Sequence, residues 1–333
     1  YGTAAEASNW HLTATLDGAE SAAVSGDGTA TSATLFAGTY ALAETLNNQA
    51  LTGQYDAGGW SCTNNVPVNE DNQITLANGQ STTCTITNTA QPAQLTLVKV
   101  VVNEYGTAAE ASNWHLTATL DGAESAAVSG DGTATSATLF AGTYDLAEVL
   151  AENATVLPGQ YDAGEWSCTI GDVTTDNLTS VTLKNGDVAT CTIVNTAKPA
   201  QLTLVKNVVN GYGTAAEASN WHLTATLDGA ESAAVSGDGT ATSATLFAGT
   251  YALAETLNNQ ALTGQYDAGG WSCTNNVPVN EDNQITLANG QSTTCTITNT
   301  AQPAQLTLVK VVVNEYGTAA EASNWHLTAT LDG

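Results

Sequence analysis

Apolar and polar residues alternate along short stretches of this chain, and turn residues separate the stretches. Between Gln94 and Ala200 the pattern is carried by Leu95–Val102 (LTLVKVVV), the region near Trp114–Leu120, Tyr144–Glu148, Trp166–Thr169, Val181–Leu183 and Ala189–Asn195. A period of two sends successive side chains to opposite faces, so each stretch predicts a half-buried strand. Gly106 opens a loop after the first stretch and Gly130-Asp131-Gly132 marks a tight turn. Asn185-Gly186 predicts a type I′ hairpin leading into the last strand. About seven strands in roughly 100 residues predict an all-β, Greek-key, immunoglobulin-like sandwich.

The same pattern returns along the chain. The segment that begins YGTAAEASNWHLTATLDG starts at Tyr1, Tyr105, Tyr212 and Tyr316, at offsets of 104, 107 and 104 residues. A period of domain length predicts a tandem array in which each unit has its own core. The units are expected at residues 1–93 (without its first strand), 94–200, 201–304 and 305–333 (the start of a fourth). Short proline-containing joints, NTAQPAQ or NTAKPAQ, separate them and favour a semi-rigid rod. The chain contains no Met and both ends fall inside a repeat, as expected of a window within a longer array.

Charge narrows the function. Thirty-two acidic residues face five lysines and no arginine, a formal net charge of −27. Phosphate contacts need Lys and Arg, so nucleic-acid binding is excluded and attraction to an anionic membrane is not expected. No stretch reaches the roughly 20 apolar residues of a membrane span, and no signal peptide is recognisable. The six cysteines fall as Cys62/Cys84, Cys168/Cys191 and Cys273/Cys295, one pair per repeat. Of the fifteen possible pairings, the intradomain one is the simplest, and three structural disulfides imply an oxidising, extracellular compartment. The spacing does not suit zinc.

Strand parity brings out one constellation. Leu95, Leu97, Lys99 and Val101 share a face of the first strand; Tyr144, Leu146 and Glu148 share a face of a middle strand; Cys191, Ile193 and Asn195 share a face of the last. Lys99, Glu148 and Asn195 are therefore expected to point inward, and buried polar groups must find partners. In an apolar core the three can form an amide cross-link. Burial lowers the lysine pKa and frees its amine; a protonated acid polarises the Asn carbonyl and shuttles protons as ammonia leaves. The reaction happens once and has no turnover, so the chain is not expected to be an enzyme.

The runs LTLVK, GTYDLAE (or GTYALAE) and TIVNT (or TITNT) resemble CnaB-like, SpaA-type domains, the transthyretin-like immunoglobulin folds of bacterial surface adhesins and pilins. The resemblance implies Lys on the first strand, the acid on a middle strand and Asn on the last. That assigns Lys99, Glu148 and Asn195 in the second repeat and Lys206, Glu255 and Asn299 in the third. The first repeat keeps Glu44 and Asn88, and its lysine would lie before Tyr1; Lys310 begins the fourth. The chain departs from the usual pattern in carrying one disulfide per domain and in lacking an A-P-x-G-Y run.

Other readings stand beside this one. Lys99 and Glu148 could be an ordinary buried pair, or Lys99 could guard an exposed edge strand against aggregation. Trp10, Trp60, Trp114, Trp166, Trp221 and Trp271 are expected in the core, with carbohydrate stacking as the alternative; His115 and its copies are expected to face solvent. No cofactor or metal is expected, although Asp27, Asp131, Asp238 and Glu70-Asp71 offer oxygen ligands of the kind calcium takes. Asn153-Ala-Thr and Asn177-Leu-Thr fit the glycosylation triplet. The function expected is a structural segment of an extracellular bacterial fibre, stalk or surface adhesin. Its partners are copies of itself or neighbouring repeats; Gln305–Glu315 repeats the first strand and could also be donated to the first repeat of another copy. The alternative is an adhesive or ligand-binding tandem-repeat array, with calcium as a candidate ion, that touches a receptor or glycan.

Overall fold

The computed structural model describes residues 5–106, 108–213 and 215–331; Tyr1 and Gly333, where the sequence repeats were seen to begin and stop, lie outside them. The chain divides into two compact units, residues 1–198 and 199–333. The first holds repeats one and two.

The second repeat is a two-sheet sandwich of nine strands among the described residues. One sheet runs, in spatial order, Val128–Asp131, Trp114–Leu120, Gly142–Leu150, Ser180–Leu183. The other runs Thr133–Leu139, Ala93–Val102, Val188–Ala197, Tyr161–Ile170, Val173–Leu178. The opening strand Ala93–Val102 lies inside its sheet and pairs in parallel with the closing strand Val188–Ala197, so Lys99 is not on an edge. Burial alternates along both strands. Ala93, Leu95, Leu97 and Lys99 are buried on the opening strand, and Ala189, Cys191, Ile193, Asn195 and Ala197 on the closing one. Between the sheets these residues meet Leu116, Tyr144, Leu146, Trp166, Val181 and Leu183.

Two features differ from the sequence reading. Asn185-Gly186 does not make a type I′ hairpin: Ser180–Leu183 and Val188–Ala197 belong to different sheets, and only Gly186 takes a positive φ, at 78°. The turn crosses between sheets, and its bare Cα packs on repeat one, where a Cβ would come within 2.7 Å of the Gly53 carbonyl oxygen. Strands also form at Val128–Asp131, Thr133–Leu139 and Val173–Leu178, raising the count from about seven. Their apolar residues are sparse: Val128, Ala134 and Leu139 reach the core from the first two, and Val173–Leu178 is defined by its ladder.

The third repeat has the same two sheets, Val235–Asp238, Trp221–Leu227, Gly249–Leu257, Gln284–Leu287 and Thr240–Leu246, Ala200–Val209, Ser292–Ala301, Tyr266–Cys273. Among its described residues there is no counterpart of Val173–Leu178. Val277-Pro278 stands there instead, and proline cannot donate to a ladder, while Val277 turns into the core. Among the described residues the first repeat forms the sheet Val24–Asp27, Trp10–Leu16, Gly38–Leu46, Gln73–Leu76 and two short ladders. Leu12, Leu35, Tyr40, Trp60, Ile74 and Ile86 line an open cavity of about 400 Å³ in it. Trp114, Trp166, Trp221 and Trp271 are buried, and Trp10 and Trp60 half-buried.

Candidate functional site

The opening strand, the closing strand and the Gly142–Leu150 strand each deliver one polar side chain to the same place. Lys99 stands beside Ile193 in the parallel register, Asn195 two residues further along the closing strand, and Glu148 opposite Leu116 in the facing sheet. The strand next to Asn195 carries a bulge, with one extra residue between Ala163 and Trp166. Gly164 permits it: a Cβ there would meet the Val194 carbonyl oxygen at 2.6 Å.

Glu148 touches both partners. Lys99 Nζ lies 2.6 Å from Glu148 Oε2, and Asn195 Nδ2 donates to Glu148 Oε1 at 2.7 Å. The lysine side chain is 0% exposed and the glutamate 9%. The third repeat repeats the geometry: Lys206 Nζ donates to Glu255 Oε2 at 2.6 Å and Asn299 Nδ2 to Glu255 Oε1 at 2.8 Å. The Lys206 contact has hydrogen-bond geometry; the equally short Lys99 contact is an ion pair off the hydrogen-bond angle. In the first repeat Asn88 Nδ2 donates to Glu44 Oε1 at 2.9 Å. Lys310 lies in the last segment, and among the described residues no carboxylate forms an ion pair with it.

Burial pushes the Lys99 and Lys206 amines below the ordinary lysine value, and the close contact and charge of Glu148 and Glu255 oppose the shift only in part. The side-chain carbonyl oxygens of Asn88, Asn195 and Asn299 are buried and accept no hydrogen bond. An amine eased toward its neutral form, a carboxyl that reaches both groups, and an amide carbonyl free to be polarised are the parts that amide exchange needs. A cavity of about 220 Å³, lined by Trp114, Glu148, Val156, Pro158, Tyr161 and Asn195, opens onto the site.

The sequence reading did not reveal the indole beside the lysine. Trp114 places its ring centroid 5.0 Å from Lys99 Nζ, and Trp221 places its own 4.8 Å from Lys206 Nζ. The only signal was the constant spacing of fifteen residues between lysine and tryptophan.

The remaining candidates resolve plainly. The three disulfides are Cys62–Cys84, Cys168–Cys191 and Cys273–Cys295. Each joins directly opposed residues of neighbouring strands in one sheet. His115, His11 and His222 are only part-exposed, and each Nδ1 meets the turn aspartate, Asp131, Asp27 or Asp238, at 2.5–2.6 Å. Asn47 and Asn258 donate to Asp27 and Asp238 as well, so the calcium candidates in these turns already have partners. Among the described residues no group of three or more His, Cys, Asp or Glu side chains gathers around a common point. No described helix is long and apolar enough to cross a membrane.

Fold and site together define a tandem all-β array whose sandwiches each bury a carboxylate against an asparagine, joined in the complete repeats by a lysine. The chain belongs to the prealbumin-like fold domain family (SpaA_2), which matches residues 1–86, 90–193, 197–297 and 301–333. Solved structures similar to it include the Bacillus anthracis TIE protein, at 15% identity over 79% of this chain and 54% of that one, with a TM-score of 0.38. The chain thus spans about half the length of that protein. The major pilin of Streptococcus pyogenes is 15% identical over 63% of this chain and 98% of the pilin, with a TM-score of 0.29. The minor pilin GBS52 of Streptococcus agalactiae is 13% identical over 66% and 100%, with a TM-score of 0.23. A search of curated proteins finds no match.

Proposed function

We propose that this chain is a load-bearing segment of an extracellular bacterial fibre, stalk or surface adhesin, and that each complete repeat locks itself with a Lys–Asn isopeptide bond. The bonds are Lys99–Asn195 and Lys206–Asn299, with Glu148 and Glu255 as the proton-transfer groups. The first repeat contributes Glu44 and Asn88 to the same reaction, and Lys310 serves the fourth repeat. One observation carries the reading: in both complete repeats a single buried carboxylate reaches the lysine nitrogen and the asparagine amide at 2.6–2.8 Å.

The step balances without a co-reactant. Lys99 gives a proton to Glu148, and its neutral amine attacks Asn195 Cγ. Protons pass by way of Glu148 to Nδ2, which leaves as ammonia through the adjoining cavity. The lysine charge is removed and the carboxyl is left neutral, which relieves the cost of a buried ion pair. Reaction partners sit on the opening and closing strands, so tension applied at the two ends of a repeat passes through the bond and leaves the fold intact. The acidic surface keeps such segments soluble and mutually repelling until they associate as fibre partners.

Intact mass of the reduced, denatured chain tests the reading. Loss of one ammonia per complete repeat is expected, with one loss abolished by Glu148→Ala and both by adding Glu255→Ala. An unaltered chain at its full sequence mass sinks the cross-link and leaves disulfide-stapled sandwiches. The runner-up, a calcium-dependent adhesive array binding a receptor or glycan, predicts a chelator-sensitive melting temperature; indifference to chelator counts against it.

A further inference from the structure

We propose that Trp114 and Trp221 are positioning residues for cross-link formation, holding the lysine nitrogen against the Glu–Asn pair in both its charged and its neutral state. This rests on the isopeptide reading above.

The nitrogen has two kinds of neighbour. One is the carboxylate; the other is the face of a buried indole, 5.0 Å away for Lys99 and 4.8 Å for Lys206. Both indoles are 4% exposed. The reaction opens with a proton leaving Nζ for the carboxylate, and at that moment the charge attraction between the two disappears. An indole face attracts an ammonium through its quadrupole, within about 6 Å, and also accepts an N–H from a neutral amine. It is the neighbour whose attraction survives the proton transfer, and it keeps the amine from swinging away before attack.

The ring is itself held. Tyr161 meets Trp114 edge-on, centroids 5.2 Å apart at 80°, and its hydroxyl donates to Asn103 Oδ1 at 2.5 Å. Tyr266 does the same for Trp221, at 5.3 Å and 79°, and donates to Asn210.

A third copy separates this contact from the rest of the site. Lys310 Nζ lies 4.9 Å from the Trp325 ring in a segment with no strand ladder among its described residues, and Trp325 is 43% exposed. The lysine–indole contact therefore needs only the spacing of fifteen positions between its partners. Contacts of short sequence separation close sooner than the 49- and 96-residue separations from Lys99 to Glu148 and Asn195. The amine is held first, and the acid and amide then arrive on it.

The test uses the full chain, with repeat three as the internal reference. Trp114→Phe, Trp114→Leu and the remote core variant Leu95→Val are made singly. Cross-linked Lys99–Asn195 and Lys206–Asn299 peptides are then quantified by mass spectrometry at intervals after synthesis. Trp114→Phe keeps an aromatic face and is expected to stay within a few-fold of the parent. Trp114→Leu is expected to slow the Lys99–Asn195 bond at least tenfold and to leave repeat three unchanged. Equal rates in Trp114→Leu and the parent overturn the proposal while leaving the cross-link standing. So does a comparable slowing in Leu95→Val at matched melting temperature, which assigns the effect to stability alone. Absence of either cross-linked peptide from the parent overturns the cross-link reading itself, and this proposal with it.

Discussion

Replacing Asn195 by alanine removes the acceptor of the proposed bond while leaving Lys99 its carboxylate partner. The bond spans 195 − 99 = 96 residues. Closing a loop of that length lowers the entropy of the unfolded chain by an amount worth about 4.7 kcal/mol at 25 °C. The Cys168–Cys191 disulfide already short-circuits 23 of those residues, which trims the figure to about 4.4 kcal/mol. Hydrogen-exchange mass spectrometry of the full chain reads this locally. The peptide over Val188–Ala197 is expected to lose about three orders of magnitude of protection, while Ser292–Ala301 of the third repeat stays fixed. Glu148→Gln should be worse. It prevents the bond and also strands a buried lysine, whose neutralisation at pH 7 costs up to roughly 5 kcal/mol on the ordinary lysine scale. Less than a tenfold change in Asn195→Ala, or a milder effect in Glu148→Gln than in Asn195→Ala, would refute the reasoning.

Three further outcomes follow from the same geometry. Removing the Cys168–Cys191 pair by double alanine substitution opens a 23-residue loop and should cost about 3 kcal/mol, read as a lower denaturant midpoint for repeat two; an unchanged midpoint counts against an entropic role. In the unlinked Asn195→Ala chain, the depressed Lys99 pKa means the unfolded state binds more protons between the folded value and 10.5, so stability should rise with pH across that window and level off above it, and equilibrium unfolding that shows a flat or falling trend contradicts the burial argument. Hydrogen bonds from His222 and Asn258 hold the Asp238 carboxyl below 3.8, so its contribution is present above that pH and fades as acid protonates it; Asp238→Asn should flatten the acid limb of a stability–pH curve, and an identical limb would remove the pair from the account.

Much of this was readable from residue order. Alternation placed Lys99, Asn195 and Glu148 on inward faces because each sits at even spacing from residues no sandwich leaves in water, Leu95 and Leu97, Cys191 and Ile193, Tyr144 and Leu146. Paired cysteines at one per repeat left little freedom in their bonding. Three things were hidden. The Asn185-Gly186 turn carries a hairpin signature, but whether its flanking strands pair depends on which sheet each joins, a tertiary matter that local sequence does not encode. Val173–Leu178 has the composition of a loop and becomes a strand because Tyr161–Ile170 offers it an edge, which Pro278 forbids in the third repeat. The indole over the lysine depends on how the first two strands of a repeat cross between sheets, and parity within a single strand carries no such information.

The parallel pairing of opening and closing strands has a mechanical consequence of its own. Antiparallel neighbours at the ends of a domain can peel apart rung by rung, like a zipper. Here the nine paired positions from Gln94/Val188 to Val102/Thr196 run in the same direction, and opposite pulls on the two termini slide one strand along the other. All rungs are sheared at once. Even a repeat denied its covalent lock should yield in single-molecule stretching as one abrupt, high-force event instead of a gradual unravelling.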